Sequence, residues 1–111
     1  VSFTIYKITC PEGRSYIGCT SKTAAERWRS HQADHREWPG HRRALLADAI
    51  GRFGKAAFKV TTLAVVEGAD DAAAFETLMI ERHRTAHPHG YNFMKTSHYV
   101  THRWPQLATA A

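Results

Sequence analysis

A chain of 111 residues, 43% of them hydrophobic, is long enough for one domain with its own core and too apolar to be disordered. Fifteen lysines and arginines stand against ten aspartates and glutamates, a formal net charge of +5 that favours a polyanionic partner, phosphate backbones above all. No apolar run approaches the roughly 20 residues of a membrane span, and no secretory leader pattern opens the sequence.

The first stretch, "SFTIYKIT", is rich in β-branched and aromatic residues and predicts a strand. "CPEGR" supplies a turn through Pro11 and Gly13, and "SYIGC" predicts the returning strand. Pairing about Glu12 sets Ile8 opposite Tyr16 and Tyr6 opposite Gly18. Side chains alternate along a strand, so Tyr6 and Tyr16 share one face as diagonal neighbours about 7–8 Å apart. Ile5 and Ile17 point to the other face and can enter the core. Gly18 leaves open space beside the Tyr6 phenol. Taken alone, such tyrosines are common strand residues that pack for stability. Cys10 lies by the turn and Cys19 at the far end of the second strand. A bridge needs Cα atoms within about 7 Å, so both are expected to be reduced, in a cytoplasmic chain.

Thr20 or Ser21 is expected to cap a helix over "KTAAERWRSHQADHREW", which stops before Pro39. "HRRALLADAIGRFG" predicts a second, amphipathic helix ended by Gly54, with Leu45, Leu46, Ala49, Ile50 and Phe53 as its core face. "AAFKVTTLAVVE" predicts a third strand, long and strongly apolar. "GADDAAAFETLMIERHRTAH" predicts a third helix, with Asp70 and Asp71 at its positive end. "PHGYNFM" reads as a turn and a short extended piece, and "KTSHYVTHRWPQLATAA" as an aromatic, basic tail. The order ββααβα gives an α/β (α+β) fold: a three-stranded, mostly antiparallel sheet flanked by helices. Residues 1–95 are expected to form the domain and 96–111 a C-terminal tail.

"TIY", a gap of about ten residues, "YIG", then "ERWRSH" and later "FETLMIERHR" and "HGYN" resemble the GIY-YIG nuclease family. Thr4 stands where that family usually has glycine. The resemblance implies a metal-dependent endonuclease that hydrolyses DNA, with Tyr6 beside the attacking water and Tyr16 shaping the phosphate site. It places Arg27 on the scissile phosphate, a role suited to a planar, always charged guanidinium. His31, one turn later, would polarise Tyr6 or water, or orient the phosphate. It makes Glu76 the carboxylate for one Mg²⁺ or Mn²⁺ ion, whose remaining ligands would be waters and substrate oxygens. Glu81, five residues on, would face another way and reads as surface. Asn92 would tie the metal side of the site to the hairpin; a turn-forming asparagine beside Gly90 is the plainer reading.

The other cations have simpler roles. His41, Arg42, Arg43, Arg52 and Lys55 are expected to contact backbone phosphates. Trp28 is expected to pack the first helix on the sheet. The pairs His31/His35 and His83/His87 have helical spacing, yet no HExxH or CxxC accompanies them, so nucleic-acid contact is favoured over zinc. Tyr99, His102, Arg103 and Trp104 could grip nucleic acid or dock on the domain. The expected partner is DNA, single- or double-stranded, with no membrane and no small-molecule cofactor. Base specificity has few places to reside, which favours structure-selective or low-specificity cleavage, including of single strands. An inactive nucleic-acid-binding module and an RNA nuclease are the alternatives.

Overall fold

Residues 1–37 and 45–92 are described in the computed structural model of the chain, those from 33 to 37 by their backbone only. Strands β1 (Ser2–Thr9) and β2 (Ser15–Thr20) form an antiparallel hairpin in the expected register, with Tyr6 opposite Gly18 and Ile8 opposite Tyr16. The turn closes with Cys10 N–H donating to the Arg14 carbonyl at 2.9 Å and Gly13 N–H to that of Cys10 at 3.0 Å. Gly13 has φ 95°, which suits glycine at that corner. Strand β3 (Lys59–Glu67) pairs antiparallel with the other side of β1, giving the order β2-β1-β3. The register shifts between Ile5, opposite Ala64, and Tyr6, opposite Thr62. Leu63 is therefore an extra residue, and the bulge sits beside Tyr6, where it turns the strand locally. As an edge strand β3 keeps part of its apolar run in solvent, with Val65 65% exposed.

Helix α1 (Ala24–Glu37) begins later than expected. Neither Thr20 nor Ser21 caps it. The Thr23 hydroxyl accepts the Glu26 N–H at 3.1 Å and donates to the Glu26 carboxylate at 3.1 Å, a capping box written in the sequence as TAAE. Helix α2 (Leu45–Phe53) ends at Gly54, whose φ of 83° glycine adopts without the penalty of a side chain. Its expected core face holds except at Phe53, which is exposed; it is the last helical residue, with the Arg52 guanidinium 5.3 Å from its ring centroid. Helix α3 (Ala69–His83) ends four residues short of the expected limit. Arg84 adopts the left-handed conformation and its N–H returns to the Glu81 and Ile80 carbonyls. His83 and His87 consequently do not share a helix face.

Both faces of the sheet are covered. Tyr6, Ile8 and Cys10 pack with Leu46, Ala49, Ile50 and Tyr91, flanked by Trp28, whose ring lies 5.6 Å from that of Phe58. Ile5 and Ile17 pack on the opposite face with Ala72, Met79 and Ile80 of α3. After α3 the chain returns along the outer edge of β2. Tyr91 N–H donates to the Ser15 carbonyl at 2.8 Å. Gly90 fits there because it lacks a side chain: a Cβ would lie 2.4 Å from the Thr85 carbonyl oxygen and 2.7 Å from that of Ser15. Cys10 and Cys19 are both free thiols.

Candidate active site

The two faces of the sheet meet at the far half of β2, and a cleft of about 540 Å³ opens there. Tyr6, Tyr16, Cys19, Thr20, Ser21, Lys22, Arg27, Ser30 and Glu76 border it. The hairpin supplies both tyrosines, α1 supplies Arg27 and Ser30, and α3 supplies Glu76. Tyr6 and Tyr16 stand with ring centroids 6.3 Å apart, as the shared strand face requires. The space expected above Gly18 is taken up by Tyr6 itself. A Cβ on Gly18 would meet the Tyr6 Cζ and hydroxyl oxygen at 2.3 Å, so the phenol tip lies directly across the glycine.

His31 lies behind Tyr6 rather than in the cleft wall. Its Nε2 is 2.8 Å from the Tyr6 hydroxyl, and its ring meets Tyr16 edge-on at 5.1 Å. Burial, helped by the nearby Arg27 charge, lowers the His31 pKa to about 3. The ring is thus neutral near pH 7. Burial also raises the Tyr6 pKa far above that of a free phenol; Tyr16 and Glu76 push it up further, and Arg27 opposes them. A neutral phenol donating to a neutral imidazole puts the lone pair on Nε2 and the ring proton on Nδ1. Burial raises the Cys19 thiol to about 12, with Glu76 adding to the effect, so Cys19 is a protonated, inert wall residue.

Glu76 is only 6% exposed although it borders the cleft, and it is the sole carboxylate among the described lining residues. Glu81 is exposed on the same helix, as its spacing implied. A buried carboxylate facing a polar cleft, with hydroxyls nearby and no second acid, matches a hard cation that keeps most of its own water. Among the described residues no cluster of three or more His, Cys, Asp or Glu could hold a metal by itself.

A family model described as the GIY-YIG catalytic domain matches residues 2–92. The chain belongs to the GIY-YIG family. Two solved structures share its fold. The catalytic domain of the intron endonuclease I-TevI, in a mutant form, is 18% identical over 86% of this chain and 97% of its own, with a TM-score of 0.68. The catalytic domain of homing endonuclease I-TevI is 21% identical over 83% and 98%, also with a TM-score of 0.68. No curated protein matches the chain. Membership makes this GIY-YIG chain a nuclease domain, with nucleic acid as its substrate.

Within the GIY-YIG frame, the cleft unites Tyr6, Tyr16, Arg27 and Glu76 from four separate sequence segments. Asn92 is not in the cleft wall. Its side-chain oxygen accepts the Ile17 N–H and its amide donates to the Ile17 carbonyl, both at 2.8 Å. That pair extends the sheet edge for one residue and holds the end of α3 against the hairpin. Arg52 and Lys55 are exposed and do not border the cleft. His41, Arg42, Arg43 and the tail residues lie outside the described residues. Lys22 and Ser30 were missed by the sequence reading. Ser30 follows Arg27 by three positions, so the helix period could have found it. Lys22 sits in the link between the second tyrosine motif and the helix, where spacing gives no direction.

Proposed function

We propose that the domain is a divalent-metal-dependent endonuclease that hydrolyses DNA phosphodiester bonds with low sequence specificity, single strands included. One observation carries the mechanism: the Tyr6 hydroxyl, 2.8 Å from His31 Nε2, forms the floor of a cleft bordered by Arg27 and Glu76. Arg27 grips the scissile phosphate through its forked donors, and Tyr16 orients it. Glu76 would hold one Mg²⁺ or Mn²⁺ ion, which would supply charge stabilisation to the leaving group. Water attacks phosphorus in line with the leaving 3′ oxygen. As the new O–P bond forms and the P–O3′ bond breaks, water gives a proton to the Tyr6 oxygen while Tyr6 passes its own to His31 Nε2, and the departing 3′ oxygen takes a proton from solvent. The buried phenol then never has to become a free anion, which its environment strongly disfavours. In the free protein burial, and to a smaller extent Arg27, depresses the basicity of His31; a phosphate paired with Arg27 removes the smaller of the two effects when the proton must be accepted.

Low specificity follows from the lining. Among the described residues its donors are hydroxyls, one guanidinium and one ammonium, suited to phosphate and sugar, with no amide side chain to read a base edge. Two free thiols support a reducing, cytoplasmic setting. Arg52 and Lys55 are proposed to act on DNA outside the cleft, through the general field.

The deciding experiment is single-turnover cleavage of end-labelled single-stranded DNA, duplex DNA and RNA, with Mg²⁺ or Mn²⁺, by wild type and Glu76→Gln. DNA cleavage lost in Glu76→Gln, with DNA binding retained, is the expected result. Equal rates in the two proteins would remove Glu76 from metal binding. Binding without cleavage by wild type would favour the inactive module, and preferential RNA cleavage the RNA nuclease.

A further inference from the structure

We propose that Lys22 is a second phosphate anchor, binding the DNA phosphate next to the scissile one and so setting the register of the strand in the cleft. This rests on the nuclease reading of the same cleft. Among the described residues, Lys22 and Arg27 are the two cations that border it. They differ in placement. Arg27 is half-buried on α1, whereas Lys22 is exposed in the link before that helix. Both border the cleft, Lys22 as the more exposed of the two. An ammonium on the exposed rim can meet the phosphate next to the one that Arg27 holds.

The backbone around Lys22 is fixed on both sides. Its own N–H donates to the Thr20 hydroxyl at 3.1 Å, and Thr23 closes the capping box of α1 with Glu26. The side chain thus starts from a defined point between the last residue of β2 and the first turn of α1. Among the described residues no carboxylate forms an ion pair with it. The hydroxyls of Ser21 and Ser30 border the same space and add neutral donors for phosphate oxygens. A contact made equally in the bound substrate and in the transition state changes binding and not the chemical step. Lys22 is a positioning residue, and its removal should appear in KM.

Binding is measured first, by anisotropy of a fluorescein-labelled single strand in EDTA, so that cleavage plays no part. In Lys22→Ala the slope of log affinity against log salt should fall by about 0.7, the value of one single-strand phosphate contact. Affinity at moderate salt should fall about two- to fivefold, and Lys22→Arg should restore both. Cleavage is then followed on strands carrying one neutral methylphosphonate at successive positions flanking the cut. Wild type should show a raised KM at one adjacent position, and Lys22→Ala should be indifferent to that substitution alone. An unchanged salt slope, an identical methylphosphonate profile in both proteins, or a loss confined to kcat would each overturn the assignment. A wild type that binds DNA without cutting it would defeat the nuclease reading, while the salt slope still decides for or against Lys22.

Discussion

At the scale of single residues the site is a pair of buried neutral groups whose pKa values are pushed apart. His31 titrates near 3 in the folded chain against 6.5 when free, so between those values the unfolded chain binds more protons. Its contribution to stability is complete above pH 6.5 and is lost as pH falls toward 3, at most about 1.4 kcal/mol per pH unit. Urea unfolding of wild type at several pH values from 7.5 down to 4.5 should show that acid loss. His31→Gln, which still offers Tyr6 an acceptor, should show a shallower one; equal slopes would mean that His31 is not buried neutral. Tyr6→Phe keeps the ring and removes the relay atom. Single-turnover cleavage should drop by roughly 10²–10⁴. Because the hydroxyl is buried against His31, its loss should also cost about 1 kcal/mol, measured by the same urea titrations. Full activity in Tyr6→Phe would show that water reaches another base. The residue types of this pair were legible in the sequence, since the two motifs and the Arg27/His31 spacing carry them. Their burial was not: side-chain exposure depends on what α1 and α2 lay over the hairpin, and no local pattern encodes that.

At the scale of elements the hairpin was readable because its short turn leaves one sensible register, and the alternation of Tyr6 and Ile5 fixes which face each enters. Helix ends were less so. The TAAE capping box outranked the earlier Thr20 and Ser21, and α3 stopped at Arg84 without the glycine that usually marks a left-handed cap. The segment after α3 matters more to the site than its length suggests. Asn92 satisfies both backbone groups of Ile17, one residue from Gly18. Asn92→Ala would leave a buried N–H and a buried carbonyl without partners, a loss of about 2–4 kcal/mol. Hydrogen exchange at the Ile17 amide should rise with it. Activity lost with both stability and Ile17 protection intact would make Asn92 a participant in the chemistry instead. Gly18→Ala tests the other side of the same strand. Its methyl needs the space of the Tyr6 phenol tip, and the buried Tyr6 ring has little room to yield. Cleavage should fall about as far as in Tyr6→Phe, with destabilisation of about 1–3 kcal/mol.

At the scale of the whole molecule, function depends on a narrow sheet with helices on both faces. Tyr6 and His31, the proposed proton relay, belong to one face and Glu76 to the helix on the other, and they come together at the edge of β2. A wider sheet extended beyond β2 would close the cleft. This arrangement separates two kinds of positive charge. Arg27 borders the cleft and is proposed to hold the reacting phosphate, while Arg52 and Lys55 sit outside it and contribute to the field of a chain with formal charge +5. The two kinds should fail differently. Arg27→Lys keeps the charge but loses the fork, so single-turnover rate at saturating DNA should fall by about tenfold or more while salt dependence changes little. Joint replacement of Arg52 and Lys55 by alanine should leave that rate within about twofold, slow association, and lower the salt slope of binding. The comparison needs stopped-flow association at two ionic strengths beside single-turnover cleavage. Arg27→Lys cutting at the wild-type rate, while loss of Arg52 and Lys55 abolishes cutting, would place the reacting phosphate over α2 instead of the β2 edge.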